Sequence, residues 1–253
     1  MKTFALTGGA SGIGAAIKQR LLDLGHRVIV VDLKNADIEA DLSTESGRKS
    51  AALAIREAAA DGLDGLIPCA GIAGHVPDLK LITQVNYFGS VLLVEALKDL
   101  LAAKKGCVIL LSSNSAPMDT NLNYVDALLA DDAEAIRSAL ESMEGQTVYS
   151  GSKQALARWM RRNAPAYAAQ GIRLNAIAPG YTETPMTAAV ANDPVYGDAI
   201  RDFVASIPIG RPGLPTDMAD AIEFLISDQA SFVCGSVLFI DGGHDAMLRP
   251  DQF

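Results

Sequence analysis

The sequence has little positive charge, no long apolar run and few cysteines. Its 21 lysine and arginine residues stand against 30 acidic residues, so the formal net charge is −9. Nucleic-acid-binding surfaces usually carry clustered basic residues, and no apolar run reaches the roughly 18–20 residues that a membrane-spanning helix needs. Glycines interrupt the apolar stretch at the start of the chain, which disfavours a signal peptide. These absences predict a cytoplasmic protein that binds neither nucleic acid nor membranes.

The few cysteines and histidines disfavour a disulfide scaffold and a metal site. The three cysteines lie far apart in apolar surroundings, and the three histidines lack the spacing of metal ligands. We therefore expect buried, reduced thiols and no bound metal. The residues concerned are Cys69, Cys107, Cys234, His26, His75 and His244.

No linker rich in proline or serine divides the chain, so residues 1–253 are expected to form one domain. Short apolar runs without alternation, typical of strands buried on both faces, alternate with longer helical patterns. This β-α-β order predicts an α/β fold with a parallel sheet and helices on both faces, and ligands beyond the carboxyl ends of the strands. The predicted strands are Thr3–Thr7, Arg27–Asp32, Gly65–Cys69, Cys107–Ser112, Arg173–Ala178 and Val237–Ile240, and the predicted helices are Gly14–Leu24, Thr44–Ala60, Val85–Ala103, Ser152–Gln170 and Pro215–Ser227.

A glycine-rich turn follows the first predicted strand and precedes the first predicted helix. It reads Thr7-Gly8-Gly9-Ala10-Ser11-Gly12-Ile13-Gly14. Glycines at these positions suit a tight turn, a close approach of the backbone to a pyrophosphate, and close helix–strand packing. The helix N-terminus adds amide donors and the positive end of its dipole. An ordinary strand–helix loop can look similar, but the complete strand–turn–helix context favours a dinucleotide site.

Asp32 ends the second predicted strand, 18 residues after Gly14. A carboxylate there can accept hydrogen bonds from both hydroxyls of a ribose, and it would repel a 2′-phosphate. Ser11 and Leu33 put no cation beside the turn, and Lys34 is the one opposing charge. A solvated loop acid is the alternative for Asp32. The pattern predicts NAD rather than NADP as the cofactor.

Tyr149 and Lys153 are four residues apart at the start of the helical segment that continues to Gln170, which places them on one helix face roughly 6 Å apart. A free phenol has a pKa of about 10 and is a poor acid or base near neutrality. An ammonium and an oxidised nicotinamide nearby would both lower the pKa of this phenol toward the working range. A Tyr-x-x-x-Lys pair alone is usually a surface pair. Its interpretation as a catalytic pair therefore depends on the glycine turn and on the residues at the other strand ends.

Two further polar residues are candidates for the site, one after a strand and one within a helical pattern. Ser113 follows the strand Cys107–Ser112, where its hydroxyl can donate to a carbonyl oxygen. Asn86 is an amide within an otherwise apolar helical pattern. As a purely structural residue it would lower helix propensity, and as a functional residue it would hold a water that passes protons to Lys153.

Together these motifs resemble the short-chain dehydrogenase/reductase family over essentially the whole chain. The resemblance implies a Rossmann fold, an oxidoreductase acting on CH–OH groups, and a catalytic tetrad of Asn86, Ser113, Tyr149 and Lys153. The matching segments are Thr7–Gly14, Asp41-Leu42, Ala70-Gly71, Asn86, Ser113, Tyr149 with Lys153, Asn175–Gly180 and Asp241-Gly242-Gly243.

The resemblance also implies contacts to the cofactor. Lys153 would hold the nicotinamide ribose and Asp41 would contact the adenine. Thr182 and Thr184, after a proline–glycine turn, would hold the carboxamide and the phosphates. The complete set of expected cofactor residues is Gly8, Ser11, Gly12, Ile13, Gly14, Asp32, Asp41, Leu42, Ala70, Gly71, Tyr149, Lys153, Pro179, Gly180, Thr182 and Thr184.

Two features depart from the family pattern. The segment Pro68-Cys69-Ala70-Gly71 replaces the usual Asn-Asn-Ala-Gly, so an amide that commonly braces the central strand is absent. Ser113 and Tyr149 are 36 positions apart, whereas family members commonly keep them about a dozen apart. The first departure puts a structural bond in doubt, and the second indicates an insertion.

The insertion, residues 118–145, is rich in acidic residues but has an apolar helical pattern. We predict two short amphipathic helices that meet around Ala130–Ala133, with a solvated acidic loop as the alternative. A helical pair at this place resembles the bacterial 3α-hydroxysteroid dehydrogenase/carbonyl reductase branch of the family. It would cover a face that many relatives use for subunit contact, so a homo-oligomer, in particular a dimer built through another surface, is expected.

Residues 186–213 form an apolar stretch beyond a strand end, and we predict a mobile lid over an apolar substrate. The alternative is that half of its apolar residues, which include Met186, Val195, Tyr196 and Phe203, pack on the core. The predicted activity is NAD-dependent interconversion of a secondary alcohol and a ketone on an apolar cyclic substrate, with a 3α-hydroxysteroid as the first candidate. A terpene or other alicyclic alcohol is an alternative, as are a dinucleotide-sensing regulator without catalysis and a scaffold whose acidic insertion binds a basic partner.

Overall fold

Seven parallel strands form one sheet in the computed structural model, which describes residues 1–191 and 197–252. The strands are β1 (Thr3–Thr7), β2 (Arg27–Asp32), β3 (Ile38–Glu39), β4 (Gly65–Pro68), β5 (Cys107–Leu111), β6 (Arg173–Pro179) and β7 (Val237–Ile240). Their order in the sheet is β3-β2-β1-β4-β5-β6-β7. The strand order reverses beside β1, and Thr7 at its end pairs with both Val31 and Pro68. The carboxyl ends of the central strands therefore meet at one edge of the sheet.

Helices cover both faces of this sheet. They are α1 (Gly12–Asp23), α2 (Glu45–Ala58), α3 (Leu79–Thr83), α4 (Gly89–Ala96), α5 (Lys98–Lys104), α6 (Leu122–Ala130), α7 (Ala133–Leu140), α8 (Gly145–Ala168), α9 (Pro185–Ala191), α10 (Gly197–Ala205), α11 (Pro215–Ile226) and α12 (His244–Leu248). Phe4 and Leu6 pack in the core shared with α1 and α11, and Ala5 packs in the core shared with α2, α4 and α8. Because neighbouring strand residues point to opposite faces and both faces are covered, the strands read as continuous apolar runs. The predicted single-domain α/β Rossmann fold is confirmed.

Several elements differ from the prediction, most of them by one or two residues at an end. The edge strand β3 was not predicted, because two residues are too short for a periodic signal. The predicted helix Val85–Ala103 is divided into a π-helical turn over Gln84–Phe88, followed by α4 and α5. The helix that carries Tyr149 begins at Gly145 instead of Ser152, because glycine, threonine and valine in its first turns have low helix propensity and conceal its start.

The insertion forms two helices, α6 and α7, where the sequence pattern places them. Asn121 and Asp132 cap the two N-termini by accepting hydrogen bonds from Tyr124 N and Ala135 N. The buried Tyr124 hydroxyl bonds to Thr83 Oγ1 at 2.8 Å. A Cβ atom at Gly151 of α8 would lie 2.8 Å from Cδ1 of Tyr124. Because α8 has no side chain at that position, α6 packs closely against the helix that carries Tyr149 and Lys153.

The segment 186–213 contains α9 and α10, while Val195 and Tyr196 lie outside the described residues. Phe203 of α10 packs edge-on against His244, with ring centroids 4.5 Å apart, and also contacts Tyr181. This aromatic cluster attaches α10 to the loop after β6 and to the start of α12.

The structure bears on membrane spans and on the cysteines. No helix within residues 1–191 and 197–252 is long and apolar enough to cross a membrane. The three cysteines are free thiols, with Cys107 buried and Cys69 half-buried. The expectation of burial is wrong for Cys234, which is exposed because it lies in the loop before β7.

Candidate active site

One cavity of about 310 Å³ opens at the carboxyl ends of β1, β2, β4, β5 and β6. All the predicted site residues except Asn86 line it. It is therefore the place where the predicted cofactor and catalytic residues meet. Met186, which the prediction places in the lid, also lines the cavity. The lining further includes residues that sequence reasoning did not assign to the site, among them Val31, Leu33, Ala40, Cys69, Ile72, Val85, Leu111, Ser112, Pro185 and Thr187.

The glycine-rich turn forms one end of this cavity. Gly8 has a φ of +71°, and a Cβ atom at Gly14 would lie 2.0 Å from the carbonyl oxygen of Gly8. Both positions therefore require glycine, the first for its backbone conformation and the second for the close approach of α1 to β1. The N-cap residue Ser11 makes no side-chain cap bond, and the first turn of α1 has no acidic residue. The amide donors at this N-terminus are thus available to an anionic group such as a pyrophosphate.

Asp32 lies across the outer side of the turn. Its Oδ2 accepts a hydrogen bond from Ala10 N at 2.9 Å, and its Oδ1 accepts one from Leu33 N at 2.8 Å. These two bonds hold the carboxylate beside the glycine turn at the cavity wall. Of the described residues that line the cavity, Lys153 is the one cation, and it lies at the other end. The outer end therefore carries a negative and no positive side chain.

Asp41 and Leu42 form the adjacent wall. Leu42 is buried, and its carbonyl oxygen accepts a hydrogen bond from Arg48 Nη1 at 2.9 Å. Asp41 Oδ1 accepts one from Ser43 N at 2.9 Å. The segment is thereby held rigidly between β3 and the N-terminus of α2.

Lys153 is buried at the inner end of the cavity. Its Nζ donates to the carbonyl oxygen of Leu111 at 2.8 Å, and it lies 5.7 Å from the centre of the Tyr149 ring. Burial lowers the pKa of Lys153 from 10.5 to about 8, because an ammonium is costly to remove from water. The end of β5 therefore positions this amine beside the phenol.

The pKa of Tyr149 is raised from its ordinary value, because burial penalises the phenolate, and the nearby Ser113 hydroxyl acts in the opposite direction. We expected the ammonium of Lys153 to lower this pKa. That expectation also included an oxidised nicotinamide, and in the protein alone burial outweighs the other causes, so the net direction is upward. An oxidised nicotinamide in the cavity would add a positive charge that lowers the pKa of this phenol.

Ser113 lies at the carboxyl end of β5 and is almost fully buried. Its Oγ accepts a hydrogen bond from Ser115 N at 3.1 Å and another from Ser115 Oγ at 3.0 Å. A hydroxyl has two acceptor positions and one proton, so Ser113 is left to donate that proton. Sequence reasoning missed Ser115, although a Ser-x-Ser pattern directly after a strand was available as a signal.

Asn86 lies behind the cavity, in the π-helical turn. Its Oδ1 accepts from Ile72 N at 2.9 Å, and its Nδ2 donates to Ile72 O at 3.0 Å. These bonds compensate for a polar side chain in an apolar helix and hold the segment after β4. The side chain is therefore bonded first to backbone, where we expected it to hold a water. Asn86 Oδ1 and Lys153 Nζ both lie close to Gly71, at 3.3 Å and 3.6 Å from the position of a Cβ atom there.

The unusual Pro68-Cys69 pair does not leave the end of β4 unsupported. Ala70 N donates to Thr7 Oγ1 at 3.0 Å, which ties the ends of β4 and β1 together. Cys69 lines the cavity, and burial raises the pKa of its thiol to about 12, so it remains neutral. The Thr7 hydroxyl thus supports the end of β4, where the family pattern has an asparagine amide that this sequence lacks.

The segment after β6 closes the cavity on the remaining side. Thr187 Oγ1 accepts from Thr184 N at 2.9 Å and donates to Thr182 O at 2.7 Å. The Thr184 methyl group lies 3.4 Å from the position of a Cβ atom at Gly12. The start of α9 therefore reaches the glycine turn, and Thr187 is a structural residue there that sequence reasoning missed.

Comparison with known proteins agrees with this arrangement. Residues 2–125 match the family model for short chain dehydrogenases, and residues 134–245 match the model described as enoyl-(acyl carrier protein) reductase. The chain is 40% identical to 3-alpha-hydroxysteroid dehydrogenase/carbonyl reductase of Comamonas testosteroni, over 100% of both chains. It is 34% identical to cis-4-hydroxycyclohexanecarboxylate dehydrogenase of Sinomonas cyclohexanicum, over 96% of each.

A solved structure is similar over nearly the whole molecule. It is the 3-alpha-hydroxysteroid dehydrogenase of Pseudomonas sp. B-0831 in complex with NADH. The two have 43% sequence identity and a TM-score of 0.94, and the match covers 99% of this chain and 100% of the other. Sequence and fold thus give the same assignment: this chain belongs to the short-chain dehydrogenase/reductase family and is an oxidoreductase that acts on CH–OH groups with a nicotinamide dinucleotide.

Proposed function

We propose that the protein is an NAD-dependent dehydrogenase/reductase that interconverts a 3α-hydroxysteroid and the corresponding 3-ketosteroid. The observation that carries this proposal is the grouping of Ser113, Tyr149 and Lys153 at the inner end of the cavity. A hydroxyl restricted to donating, a phenol and a buried amine are the groups that proton transfer to and from a carbonyl oxygen needs.

The residues of the cavity fit a dinucleotide. The amides at the N-terminus of α1 would bind the pyrophosphate, Asp32 the adenosine ribose and Asp41 the adenine. Lys153 would hold the nicotinamide ribose, and Thr182 and Thr184 the carboxamide and phosphates. The chemistry that a nicotinamide supplies when bound is acceptance of a hydride in alcohol oxidation and its return in ketone reduction.

The protein's own residues carry the proton. In oxidation Tyr149, as a phenolate, takes the proton of the substrate hydroxyl, and in reduction it returns that proton to the carbonyl oxygen. Ser113 donates to the same oxygen and so orients and polarises the carbonyl. The positive charge at Lys153 favours the phenolate, and Asn86 positions the segment around Gly71, along which water would carry the proton onward.

NAD is proposed over NADP on electrostatic grounds. The carboxylate of Asp32 is held at the outer end of the cavity by Ala10 N and Leu33 N. A 2′-phosphate there would meet a fixed negative charge, and the one cation among the described lining residues, Lys153, lies at the other end.

The substrate class is supported by the two curated relatives, whose names refer to ring alcohols. The segment 186–213 is proposed as a lid over this apolar ring, with Met186 at the cavity wall. A smaller alicyclic alcohol is the second candidate, because the relative from Sinomonas cyclohexanicum is named for a cyclohexane derivative. Because α6 covers part of α8, we propose a homodimer formed through a surface other than this one.

The decisive experiment measures reduced nicotinamide by its near-ultraviolet absorbance with NAD and a panel of alcohols. The panel contains 3α-hydroxysteroids, alicyclic terpene alcohols and short secondary alcohols, with Tyr149→Phe as the control for catalysis. We expect steroid turnover far above the rest, and a Tyr149→Phe variant that binds NADH but does not turn over. Turnover of the small alcohols alone would contradict the steroid assignment. Tight NADH binding without turnover of any alcohol would favour a dinucleotide sensor.

A further inference from the structure

A second cavity, a groove of about 1040 Å³, lies between α2, α4 and α7 and shares no lining residue with the active-site cavity. We call it the α2–α7 groove. Its apolar side chains come from three sides: Leu53 on α2, Leu92 on α4, and Ile136 and Leu140 on α7. Leu53 is 59% exposed, so its side chain is accessible to a ligand in the groove. The volume is at the upper end of the range for small-molecule sites, about 300–1,000 Å³.

The charge of the groove is opposite to that of the chain. Five cationic and three acidic residues line it, in a protein with a net charge of −9. Three of these cations are paired with carboxylates: Lys49 with Glu45, Arg56 with Asp99, and Arg137 with Glu134 and Glu141. Within residues 1–191 and 197–252, Arg48 and Lys80 form no ion pair. The groove therefore contains two cations that form no ion pair with the described part of the protein.

The two unpaired cations lie at the same end of the groove. Arg48 Nη1 donates to Leu42 O at 2.9 Å and to Gln84 Oε1 at 3.2 Å. Gln84 follows Lys80 by four residues, so both side chains lie on one face of the helix. The Nε atom of Arg48 is shielded from solvent and has no hydrogen-bond partner among the described residues. Burial lowers the pKa of Arg48 and outweighs the opposing charges of Glu45 and Asp41, neither of which forms an ion pair with this guanidinium.

We propose that the α2–α7 groove binds a small amphipathic anion. Its apolar body would lie against Leu53, Leu92 and Ile136. Its carboxylate or sulfate would lie at Arg48 and Lys80, where charge complementarity is provided by two cations. The site is separate from the catalytic residues and does not depend on the proposed substrate.

Dodecanoate is a suitable probe, because it combines one carboxylate with a chain long enough to cover the apolar residues. Its binding is measured by isothermal titration calorimetry to the full-length protein saturated with NAD, with dodecanol as the uncharged analogue. We expect dodecanoate to bind more tightly than dodecanol. Removing one exposed charge with Lys80→Ala should weaken dodecanoate binding about fivefold and leave dodecanol binding unchanged, because exposed pairs contribute little each.

Two further variants separate this site from the active-site cavity. Leu53→Asp places a negative charge where the apolar chain of the ligand would lie. Binding would then cover this charge, so we expect it to weaken at least about tenfold. Lys104→Ala removes an exposed lysine of α5 outside the groove and is the matched control, with wild-type binding expected. Equal dodecanoate affinity in the wild type, Lys80→Ala and Leu53→Asp would overturn the proposal. Dodecanol binding as tight as dodecanoate binding would overturn the assignment of an anion. If Leu53→Asp does not fold, the dodecanoate affinities of Lys80→Ala and Lys104→Ala are compared instead, and equal affinities overturn the proposal.

Discussion

Ser115 donates two hydrogen bonds to the hydroxyl oxygen of Ser113, one from its backbone N–H at 3.1 Å and one from its own hydroxyl at 3.0 Å. Both residues are buried at the end of β5, at 6% and 7% exposure. The two acceptor positions of Ser113 are filled in the absence of substrate, so the direction of its proton is determined before a carbonyl arrives. This is preorganisation, since no hydroxyl rotation has to be restricted during the reaction.

The first prediction concerns Ser115. Replacement with alanine removes one of the two donors to Ser113 and leaves the backbone N–H, so the hydroxyl of Ser113 becomes free to point its proton elsewhere. We expect kcat to fall about tenfold, equivalent to the roughly 1.4 kcal/mol of one such hydrogen bond, with KM for the dinucleotide unchanged. The measurement is steady-state kinetics in both reaction directions.

The matched control for this prediction is Ser115→Thr, which retains the hydroxyl and should recover most of the lost kcat. Ser113→Ala should cost more than Ser115→Ala, because it removes the donor itself. Wild-type kcat in Ser115→Ala would show that the backbone bond alone orients Ser113.

The second prediction follows from the pKa of Lys153, which burial lowers from 10.5 to about 8. Between these two values the folded protein has released the proton of Lys153, while the unfolded chain still holds it. The unfolded state then binds more protons, so the contribution of Lys153 to the free energy of unfolding rises with pH across this window. Below pH 8 both states are protonated, and burial of the ammonium destabilises the protein by a constant amount.

Urea unfolding of the wild type and of Lys153→Met, measured from pH 7 to 10, isolates this contribution. The difference in unfolding free energy should move in favour of the wild type by up to roughly 3 kcal/mol between pH 8 and 10, at about 1.4 kcal/mol per pKa unit. A difference that does not change with pH would mean that the folded protein keeps Lys153 protonated throughout.

Local patterns predict the parts of the fold that depend on neighbouring residues. The bounds of β1, β2 and β7 agree with the prediction, because each is a continuous apolar run that ends at a turn. Asp32 and the glycine turn lie as expected, since both follow strand ends. The bond from Asn86 to Ile72 was not predictable, because it depends on how a helix packs against a loop.

Backbone turns and contacts between distant segments explain the other differences. Ser115 and Ser113 are close in sequence, but the bond between them follows from the turn that β5 makes on leaving the sheet. The unpaired state of Arg48 follows from the packing of α2 against the π-helical turn, which no local pattern of charges indicates. A single sequence therefore does not reveal residues whose role depends on a turn of the backbone or on a partner elsewhere in the chain.

The third prediction tests the cofactor preference. Asp32→Asn retains an oxygen to accept from a backbone N–H but removes the negative charge. We expect the ratio of kcat/KM with NADP to that with NAD to rise about tenfold, which corresponds to about 1.4 kcal/mol of repulsion removed. Asp37→Asn is the matched control, because Asp37 lies outside the cavity lining and bonds to Val30 N. An unchanged ratio in Asp32→Asn would refute the electrostatic argument for NAD.

The last prediction concerns the attachment of the insertion. Thr83 Oγ1 donates to Leu79 O at 3.1 Å and lies 2.8 Å from the Tyr124 hydroxyl, so its single proton is used and Tyr124 must donate to it. Tyr124→Phe removes this buried bond with little change of shape. The free energy of unfolding should fall by about 1 kcal/mol, the usual contribution of a buried hydrogen bond.

The matched control is Tyr167→Phe, because the Tyr167 hydroxyl has no hydrogen-bond partner in the described part of the chain, so its loss should change stability by less than about 0.5 kcal/mol. Thr83→Val and the double variant complete a cycle that isolates the pair from other effects of each substitution. Additive losses in the double variant would mean that the two hydroxyls do not interact. A coupling of about 1 kcal/mol would establish that α6 is held to α3 by this bond, in the layer that packs directly against α8.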